Sequence, residues 1–475
     1  MSVTIIEAIR ADKLFKPVFR DLETWTAWLT LLKAFFGLPM GDDDLALFKD
    51  CTGRKEPSKA GYRELWAVIG RRGGKSFVSA VTAVYLALFH DYARHLAPGE
   101  RGVIQIIASD RSQAQVILRY VKGILHSTPV FEQYLAHEYK ERVDLNNHIS
   151  IEVMSCSFRS VRGRTLIVAI FDEIAFWMVD GASPDSEILS AVRPGMATIP
   201  TSKLIVISSP YARKGVLYEH HRDHFGKNNS DILVWQAPTR LMNPAIDQDF
   251  IDREVEKDPS AARAEYFAEF RMDIETFLSM EAVTACCGLP GDLAPRPQFA
   301  YRGFVDSSGG RSDAFTLGIG HQENAMLVVD VVRAWEPPFD PSDVVEAIAE
   351  ILRHYRLDMV TGDRYGAAWV ESAFEKCGIR YLPCDKAKSD LYLNLEGYIN
   401  TQQIQLPEDE KLVNELAALE RRRGRQGKDV VDHPPRGRDD RANVVAGLCY
   451  EGLRAQDLLY PYLRCGEDYG ELSVN

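Results

Sequence analysis

The sequence of 475 residues lacks any long apolar run. No run reaches the roughly 18 to 20 residues that a helix needs to cross a bilayer. The amino-terminal stretch MSVTIIEAIRADK also lacks the basic region and long apolar core of a secretory signal. These absences argue against a membrane protein and against secretion.

The sequence contains few cysteines, and their spacing does not indicate disulfide pairs. The eight cysteines are scattered and none forms a CxxC pair, while Cys286 and Cys287 are adjacent, a poor geometry for a disulfide. This usage predicts reduced thiols in a cytosolic protein.

The chain also lacks an excess of basic residues, since its net charge is -12. That balance argues against a surface coated for passive nucleic-acid binding, although it allows a local basic groove or an acidic centre that holds metal ions. Hydrophobic residues make up 46% and charged residues 26%, as in a globular protein. A chain of this length exceeds one ordinary core, so we expect two or three domains.

Apolar runs that alternate with helical patterns dominate residues 65–238. Continuous Val/Ile runs separated by helices indicate a buried, mostly parallel sheet of an α/β fold. The runs are LWAVIG, GVIQIIAS, ISIEVMSC, LIVAIFDE, KLIVISSP and ILVWQAP. An acidic helical segment follows, and residues 288–298 are rich in Pro and Gly.

A second unit begins near Phe299. It shows three consecutive strand patterns, then a helix (342–355), the strand MVTGDRY, a helix (367–377) and the strand RYLPC. Three antiparallel strands followed by helix, strand, helix and strand is the element order of a ribonuclease H-like domain. The expected domains are a helical lead-in (1–60), the domain of the apolar runs (61–275), a linker (276–298), the ribonuclease H-like domain (299–456) and a tail (457–475).

The stretch WAVIGRRGGKS predicts a phosphate-binding loop between a strand and a helix. Its spacing is irregular, because the place six residues before the lysine holds Ile69 and the glycine comes one later. Small residues let backbone N–H groups approach phosphates at a helix N-terminus. We expect Lys75 to reach the β- and γ-phosphates and Ser76 to bind Mg²⁺. The nucleotide-binding residues of the loop are Gly70, Arg71, Arg72, Gly73, Gly74, Lys75 and Ser76.

Two acids end the strand LIVAIFDE about one hundred residues later. An acid at a buried strand tip can hold Mg²⁺, so Asp172 is the expected metal and nucleotide ligand. Glu173 would orient or deprotonate the attacking water, which favours ATP hydrolysis over binding alone. Polar tips on the next strand, Ser208 and Ser209, are candidates for coupling hydrolysis to motion.

Three arginines lie just before this strand, in FRSVRGRT. Arg159, Arg162 and Arg164 are either charges on a surface loop or include one that stabilises phosphoryl transfer in a neighbouring subunit.

Carboxylates recur at matching places of the second unit. Asp306 lies in its first strand and Asp363 ends its fourth, and those strands are neighbours in a ribonuclease H-like layout. Asp439 and Asp440 begin the final helix, and either or both would be the third acid. Crowded carboxylates repel one another unless cations separate them, and two divalent ions can cleave a phosphodiester. Asp313 and His433 are further candidates near this site, and a basic run at 421–428 is a candidate for phosphate contact.

The combination resembles the large terminase subunit of tailed bacteriophages over nearly the whole chain. The segments that carry the resemblance are LETWTAWLTLLKAFFGLP, FKDCTGR, GRRGGKS, IFDEIAFW, ISSP, VDSS, GDRY and RGRDDRAN. Arg-containing, irregular phosphate loops are usual in that family. Arg162 resembles the family's arginine shortly before the acidic strand, a candidate trans-acting finger.

The resemblance implies a viral genome-packaging motor. Such a protein hydrolyses ATP to move double-stranded DNA into a procapsid, and it cuts concatemeric DNA with a metal-dependent endonuclease that uses Mg²⁺ or Mn²⁺. The implied partners are DNA, a small terminase subunit, the portal protein and further copies of the chain in a ring, commonly a pentamer. The implied location is the host bacterial cytoplasm, at the portal during packaging.

Two other functions are compatible with parts of the sequence. One is a helicase-like ATPase that remodels nucleic acid, with the second unit acting only as a clamp. The absence of helicase motifs after KLIVISSP counts against it. The other is a non-enzymatic scaffold, against which the intact Lys75, Glu173, Asp306 and Asp363 speak.

Overall fold

The structure, a computed structural model, divides into two compact units. The described residues are 3–155, 163–177, 184–228, 231–311, 313–363, 367–423, 429–435 and 437–464. The first unit ends at Asp273 and the second begins at Ile274. Within the described part of the chain, no helix is long and apolar enough to cross a membrane.

The first unit contains helices on a long sheet. Its described α-helices are α1 (Ile5–Arg10), α2 (Thr26–Phe36), α3 (Asp42–Thr52), α4 (Lys75–Phe89), α5 (Arg111–Leu125), α6 (Pro129–Glu132), α7 (Pro184–Met196), α8 (Gly215–His224), α9 (Thr239–Met242), α10 (Gln248–Lys257) and α11 (Pro259–Phe267). Its strands are β1 (Glu64–Ile69), β2 (Gly102–Ala108), β3 (Leu135–Glu138), β4 (Arg142–Leu145), β5 (Ile149–Ser155), β6 (Leu166–Asp172), β7 (Lys203–Ser208) and β8 (Ile232–Ala237).

The sheet of the first unit has the strand order β3-β4-β5-β2-β6-β7-β1-β8. The six strands expected from apolar runs all form, and they pair in parallel from β5 to β8. They are buried on both faces, which is why they read as continuous apolar runs. Strand β7 lies between β1 and β6, so the tip of β7 separates the phosphate loop from the acids that end β6.

Strands β3 and β4 add an antiparallel edge that the sequence did not predict. Strand β3 has the sequence LAHE and is mostly exposed, so it carries no apolar signal. The acidic helical segment also differs in detail, because it forms two helices separated at Asp258. That aspartate accepts hydrogen bonds from two backbone N–H groups at the start of α11, and Pro259 follows it.

The residues of the lead-in pack into the core of the first unit. Trp28 and Phe35 of α2 are buried, as is Phe48 of α3, and they belong to the same cluster as Val81 and Leu86 of α4. The helical segment before the loop is therefore part of the structure that supports the loop.

The second unit is a mixed sheet with helices against it. Its strands are β9 (Ile274–Thr276), β10 (Cys287–Leu289), β11 (Tyr301–Asp306), β12 (Phe315–Glu323), β13 (Met326–Trp335), β14 (Met359–Gly362), β15 (Arg380–Pro383), β16 (Ile404–Pro407), β17 (Glu420–Arg423) and β18 (Asp429–Asp432). Its described α-helices are α12 (Met280–Ala285), α13 (Pro341–His354), α14 (Ala367–Lys376), α15 (Lys388–Asn400), α16 (Glu410–Ala418) and α17 (Asp440–Arg464).

The strand order of this unit is β10-β16-β13-β12-β11-β14-β15, and β18, β17 and β9 form a separate small sheet. Strands β11, β12 and β13 are antiparallel, while β14 pairs in parallel with β11 and β15 with β14. This is the ribonuclease H-like arrangement that the element order predicted. The expected fold class is confirmed: a P-loop unit with a mostly parallel sheet, followed by a ribonuclease H-like unit.

The segment expected as a linker, 276–298, is built into the second unit. Phe277, Leu278 and Val283 are buried in its core, and β10 pairs with β16. The Pro and Gly residues of 288–298 suggested a linker. The elements next to this stretch, α12 and β10, are too short to show a hydrophobic period in the sequence. Helix α17 likewise continues to Arg464, beyond the start of the expected tail at 457.

Candidate functional site

The predicted phosphate loop joins the end of β1 at Ile69 to the start of α4 at Lys75. Arg72 and Gly74 have left-handed backbone conformations, with φ of 64° and 91°. A Cβ on Gly73 would lie 2.6 Å from Cγ2 of Ile69, so the close turn requires glycine there. The strand, the tight loop and the helix N-terminus form the scaffold on which backbone N–H groups bind phosphates.

Side chains from distant segments hold this loop. The indole N–H of Trp28 donates to the carbonyl of Gly73 at 2.8 Å. The hydroxyl of Thr239 donates to the carbonyl of Arg71, and the side-chain amide of Asn243 donates to the carbonyl of Arg72, each at 2.8 Å. These hydrogen bonds direct the three carbonyl groups away from the position of a phosphate. A carbonyl oxygen that pointed toward the phosphate would repel it.

The two loop arginines are exposed. The Arg71 guanidinium lies 3.3 Å from a carboxylate oxygen of Glu265, and the backbone N–H of Arg71 donates to the carbonyl of the same residue. Both arginine side chains therefore lie on the outside of the loop in the structure.

Lys75 is buried at the start of α4. Its Nζ donates to the carbonyl of Ile69 and to Oγ of Ser209, both at 2.9 Å, and lies 3.2 Å from Oε1 of Glu173. The loop lysine, the acid after β6 and the tip of β7 are thus in direct contact. Ser76 follows in the first turn of α4 and is half-buried.

Glu173 is fixed by the neighbouring strand. Its backbone is left-handed at φ 53°, a conformation that costs a non-glycine residue energy. Its N–H donates to the carbonyl of Ile207 at 2.8 Å. Its Oε2 accepts from the N–H of Ser209 at 2.9 Å and from the hydroxyl of Ser208 at 3.3 Å. Hydrogen bonds therefore connect Glu173 directly to the end of β7.

Asp172 is almost fully buried, and its Oδ1 has no hydrogen-bond partner. Burial raises the pKa of this carboxyl to about 7, the charge of Glu173 adds to the rise, and Lys75 opposes it. A buried carboxylate oxygen without a donor is suited to a divalent cation or its water. Asp172 and the hydroxyl of Ser76 are the side chains that could hold Mg²⁺ here.

The arginines expected before β6 are only partly described. Arg159 and Arg162 lie outside the described residues. Arg164 forms an ion pair with Glu152, which neutralises its charge locally.

In the second unit, two predicted acids end adjacent strands. Val305 of β11 pairs with Gly362 of β14, so Asp306 and Asp363, which follow them, lie side by side. Asp306 accepts a hydrogen bond from the side-chain amide of Asn443 at 2.8 Å. Burial raises the pKa of Asp306 to about 8, and the negative charges of Asp440 and Asp363 contribute, while the Asn443 hydrogen bond opposes the rise.

The adjacent acids Asp439 and Asp440 have different partners. Asp440 Oδ2 accepts from the N–H of Ala314 at 3.3 Å, and its charge acts on Asp306. Burial raises the pKa of Asp440. Asp439 is buried between Lys388, whose Nζ is 2.7 Å from Oδ2, and the hydroxyl of Tyr392, which donates to the same oxygen at 2.7 Å. Of the pair, Asp440 shares the environment of Asp306.

The structure places the remaining predicted residues, Asp313 and His433, differently with respect to the carboxylates. The charge of Asp313 raises the pKa of Asp440, so Asp313 lies near the cluster. His433 Nδ1 contacts the carbonyl of Pro434 at 2.8 Å, and its Nε2 lies 3.9 Å from Asp432. The basic run at 421–428 is described only as far as Arg423.

The carboxylates are not drawn together tightly. Within the described residues, no three His, Cys, Asp or Glu side chains are placed to hold a metal ion. The donor set of Asp306, Asp363 and Asp440 nevertheless consists of carboxylate oxygens, the ligands that Mg²⁺ and Mn²⁺ prefer. Burial is the main cause of the raised pKa of Asp306 and of Asp440, and neighbouring carboxylates add to it. A bound cation would favour the ionised form of both groups.

Several residues of both sites were not predicted from the sequence. Trp28 lies in a stretch that shows only the pattern of an aromatic helix, and Thr239 and Asn243 carry no pattern. Asn443, three residues after Asp440 on one helix face, could have been found from helical spacing. Lys388 could not, because only the tertiary structure brings it to Asp439.

Together, fold and geometry define a P-loop unit followed by a unit with ribonuclease H-like topology and carboxylates at neighbouring strand ends. Residues 38–268 match the family model described as "Uncharacterized protein MJ0330, N-terminal P-loop domain". A comparison with curated proteins gave no match.

The chain is also similar to solved structures of phage large terminases. The HK97 bacteriophage large terminase is 16% identical, with 82% of this chain and 91% of that chain covered and a TM-score of 0.37. The large terminase of a thermophilic bacteriophage, solved in complex with ADP, is 12% identical, with coverage of 88% and 97% and a TM-score of 0.39. The large terminase nuclease of thermophilic phage G20c is 21% identical over 36% of this chain and 96% of that chain, with a TM-score of 0.32.

Proposed function

We propose that this protein is the ATP-hydrolysing motor and nuclease subunit of a viral DNA-packaging terminase. The observation that carries the proposal is the presence of two separate sites in one chain. Lys75, Glu173 and Ser209 are in contact behind a phosphate loop. Asp306 and Asp363 lie side by side at the ends of two neighbouring strands, and the charge of Asp440 acts on Asp306.

In the first unit, the residues present account for ATP hydrolysis. The loop N–H groups and Lys75 bind the phosphates, and this draws the ammonium away from Glu173. Glu173 then has a free carboxylate oxygen to accept a proton from the attacking water. Mg²⁺, held by Asp172 and Ser76, would supply charge neutralisation to the phosphates.

The same contacts provide the link from hydrolysis to motion. Glu173 binds Ser208 and Ser209 at the tip of β7, so its contacts change with the occupancy of the phosphate site. Arg162 is proposed as the trans-acting arginine on the strength of the sequence resemblance.

In the second unit, Asp306, Asp363 and Asp440 are the proposed ligands of the nuclease. Divalent ions held by these carboxylates would supply an activated water and charge neutralisation for phosphodiester cleavage. Asn443 holds one oxygen of Asp306, which orients the carboxylate toward its neighbours.

The assignment to DNA packaging rests on the motifs. The irregular, Arg-containing loop and the acids of the second unit occur together in large terminases, as the sequence resemblance implies. The proposed partners are double-stranded DNA, a small terminase subunit, the portal protein and other copies of the chain in a ring, commonly of five. The proposed site of action is the portal of the procapsid in a bacterial host.

A cleavage and hydrolysis assay with matched variants tests the proposal. We expect the wild-type protein to cut supercoiled plasmid with Mg²⁺ or Mn²⁺ and to hydrolyse ATP. Asp363→Asn should abolish cutting and keep ATP hydrolysis, and Lys75→Met should do the reverse. The exposed Asp358 and Lys257 are matched controls, and Asp358→Asn and Lys257→Met should retain both activities.

The outcomes separate the proposal from its alternative. Cutting that depends on Asp363 but not on Lys75 supports a nuclease separate from the ATPase. ATP hydrolysis with no cutting in either metal would overturn the nuclease and favour the helicase-like function, which predicts strand separation.

A further inference from the structure

A lysine lies beside the proposed nuclease ligands. Lys388 is the first residue of α15, and its Nζ is 2.9 Å from Oδ1 and 2.7 Å from Oδ2 of Asp439. It also lies 3.7 Å from Oδ1 of Asp432. About a third of the Lys388 side chain is exposed.

The acid that holds this lysine is itself fixed. Asp439 is buried, and its Oδ2 accepts from the hydroxyl of Tyr392, a fully buried residue. Lys388 and Tyr392 are four residues apart in α15 and therefore lie on one face of the helix. Two groups of one helix thus hold one carboxylate, which fixes the position of the ammonium.

The ammonium is close enough to act on the carboxylate cluster. Asp439 directly precedes Asp440, whose charge acts on Asp306. The positive charge of Lys388 favours the ionised form of Asp306 and so opposes the rise of its pKa. A phosphodiester that approaches this cluster brings further negative charge, and a fixed cation there lowers the repulsion.

We propose that Lys388 is a fixed cation of the nuclease that binds the phosphate of the DNA strand to be cut, and that Asp439 is its positioning residue. This inference rests on the proposed nuclease function and gives the two adjacent acids separate roles. Asp440 belongs with the metal ligands, and Asp439 orients Lys388 together with Tyr392. Lys388 is assigned no proton transfer.

The test compares two lysines that are two residues apart. Lys386 is exposed, and its Nζ lies 5.8 Å from the ring of Tyr450. Under saturating Mg²⁺ and DNA, Lys388→Met should lower the cutting rate by roughly tenfold to a hundredfold, the scale of losing one electrostatic contact to a reacting phosphate. Lys386→Met should cut at the wild-type rate, and all three proteins should hydrolyse ATP equally.

A double variant distinguishes the loss of the cation from a loss of folding. Lys388→Met leaves the buried Asp439 without its cation, which destabilises the unit. The double variant Lys388→Met/Asp439→Asn removes both charges and should melt close to the wild type. If the cation itself binds DNA, the double variant remains defective in cutting. Lys388→Arg keeps a cation and should cut within about threefold of the wild type, since arginine also pairs with carboxylate and phosphate.

The outcomes distinguish this inference from the function on which it rests. A double variant that cuts at the wild-type rate, or a Lys388→Met protein that does so, overturns the role of Lys388. In that case the loss of cutting in Asp363→Asn still supports the nuclease. A wild-type protein that cuts in neither Mg²⁺ nor Mn²⁺ overturns both proposals. Persistent loss in the double variant, with recovery in Lys388→Arg, supports the fixed cation.

Discussion

At the residue scale, each site contains a buried carboxyl group that is costly to ionise. Asp172 lies at the end of β6 with an oxygen that has no donor, and the charges of Asp363 and Asp440 act on the buried Asp306. Burial is the main reason that the pKa rises in both cases. A cation bound at either site would relieve this cost by favouring the ionised form of the carboxyl group.

The raised pKa of Asp172 predicts how stability depends on pH without nucleotide or metal. The native protein keeps this proton up to about pH 7, whereas the ordinary pKa of the group is 3.8. Between these values the native state binds more protons than the unfolded chain, so this group makes stability fall by about 1.4 kcal/mol per pH unit as pH rises. Asp172→Asn removes the titration, so its stability relative to the wild type should rise from pH 5 to pH 7.

The measurement is urea unfolding in EDTA. The transition to follow is the unfolding of the first unit, which is identified separately in the wild type as the transition that added ATP and Mg²⁺ shift. Asp223→Asn is a control of opposite sign, since Arg222 lowers the pKa of that exposed acid. It should give no gain with rising pH. Parallel stability curves for Asp172→Asn and the wild type from pH 5 to pH 7 would contradict the prediction.

At the element scale, helix α17 positions the carboxylate cluster. Glu415 accepts hydrogen bonds from the N–H groups of Arg441 at 2.6 Å and Ala442 at 3.0 Å, which satisfies the free donors at the helix start. Gly447 allows the helix to approach β11, because a Cβ there would lie 2.3 Å from the ring of Phe304. The location of Asp440 and Asn443 therefore depends on a close helix-to-strand contact.

Gly447→Ala should displace α17 and weaken cutting. The added methyl group meets an aromatic ring in a packed core, which costs about 1 to 3 kcal/mol. Gly452 lies in the same helix, and a Cβ there would be 3.4 Å from the nearest atom, an ordinary contact. Gly452→Ala should therefore cut normally and melt at or above the wild-type temperature. Plasmid cutting and thermal melting check both, and equal behaviour of the two variants would contradict the packing argument.

Elements buried on both faces were predictable from the sequence, and short or half-exposed ones were not. The six parallel strands show as apolar runs, and the acids at their tips follow from where the runs end. Strand β3 has little apolar character, and α12 and β10 are too short to show a period. The contact of Lys388 with Asp439 joins residues that are 51 apart in the chain, so no local pattern reveals it.

At the scale of the whole molecule, each unit has its own core. The first unit buries one cluster on each face of its sheet, including Trp28 and Val81 in one and Trp66 and Phe171 in the other. The second unit buries clusters of its own around Tyr392 and Phe315. Lys75 and Glu173 belong to the first unit, and Asp306 and Asp363 to the second. Each unit therefore contains its own core and its own proposed site residues.

We expect the fragments 1–273 and 274–475 to fold separately, the first hydrolysing ATP and the second cutting DNA. Dividing the chain after the Pro- and Gly-rich stretch, at residue 299, should give a less stable second fragment. Starting at 299 removes Phe277, Leu278 and Val283 from its core and β10 from its sheet. Each buried apolar side chain contributes about 1.5 to 3 kcal/mol, so fragment 299–475 should melt well below fragment 274–475. Circular dichroism melting of both fragments tests the boundary, and equal melting temperatures would show that residues 274–298 add nothing to this core.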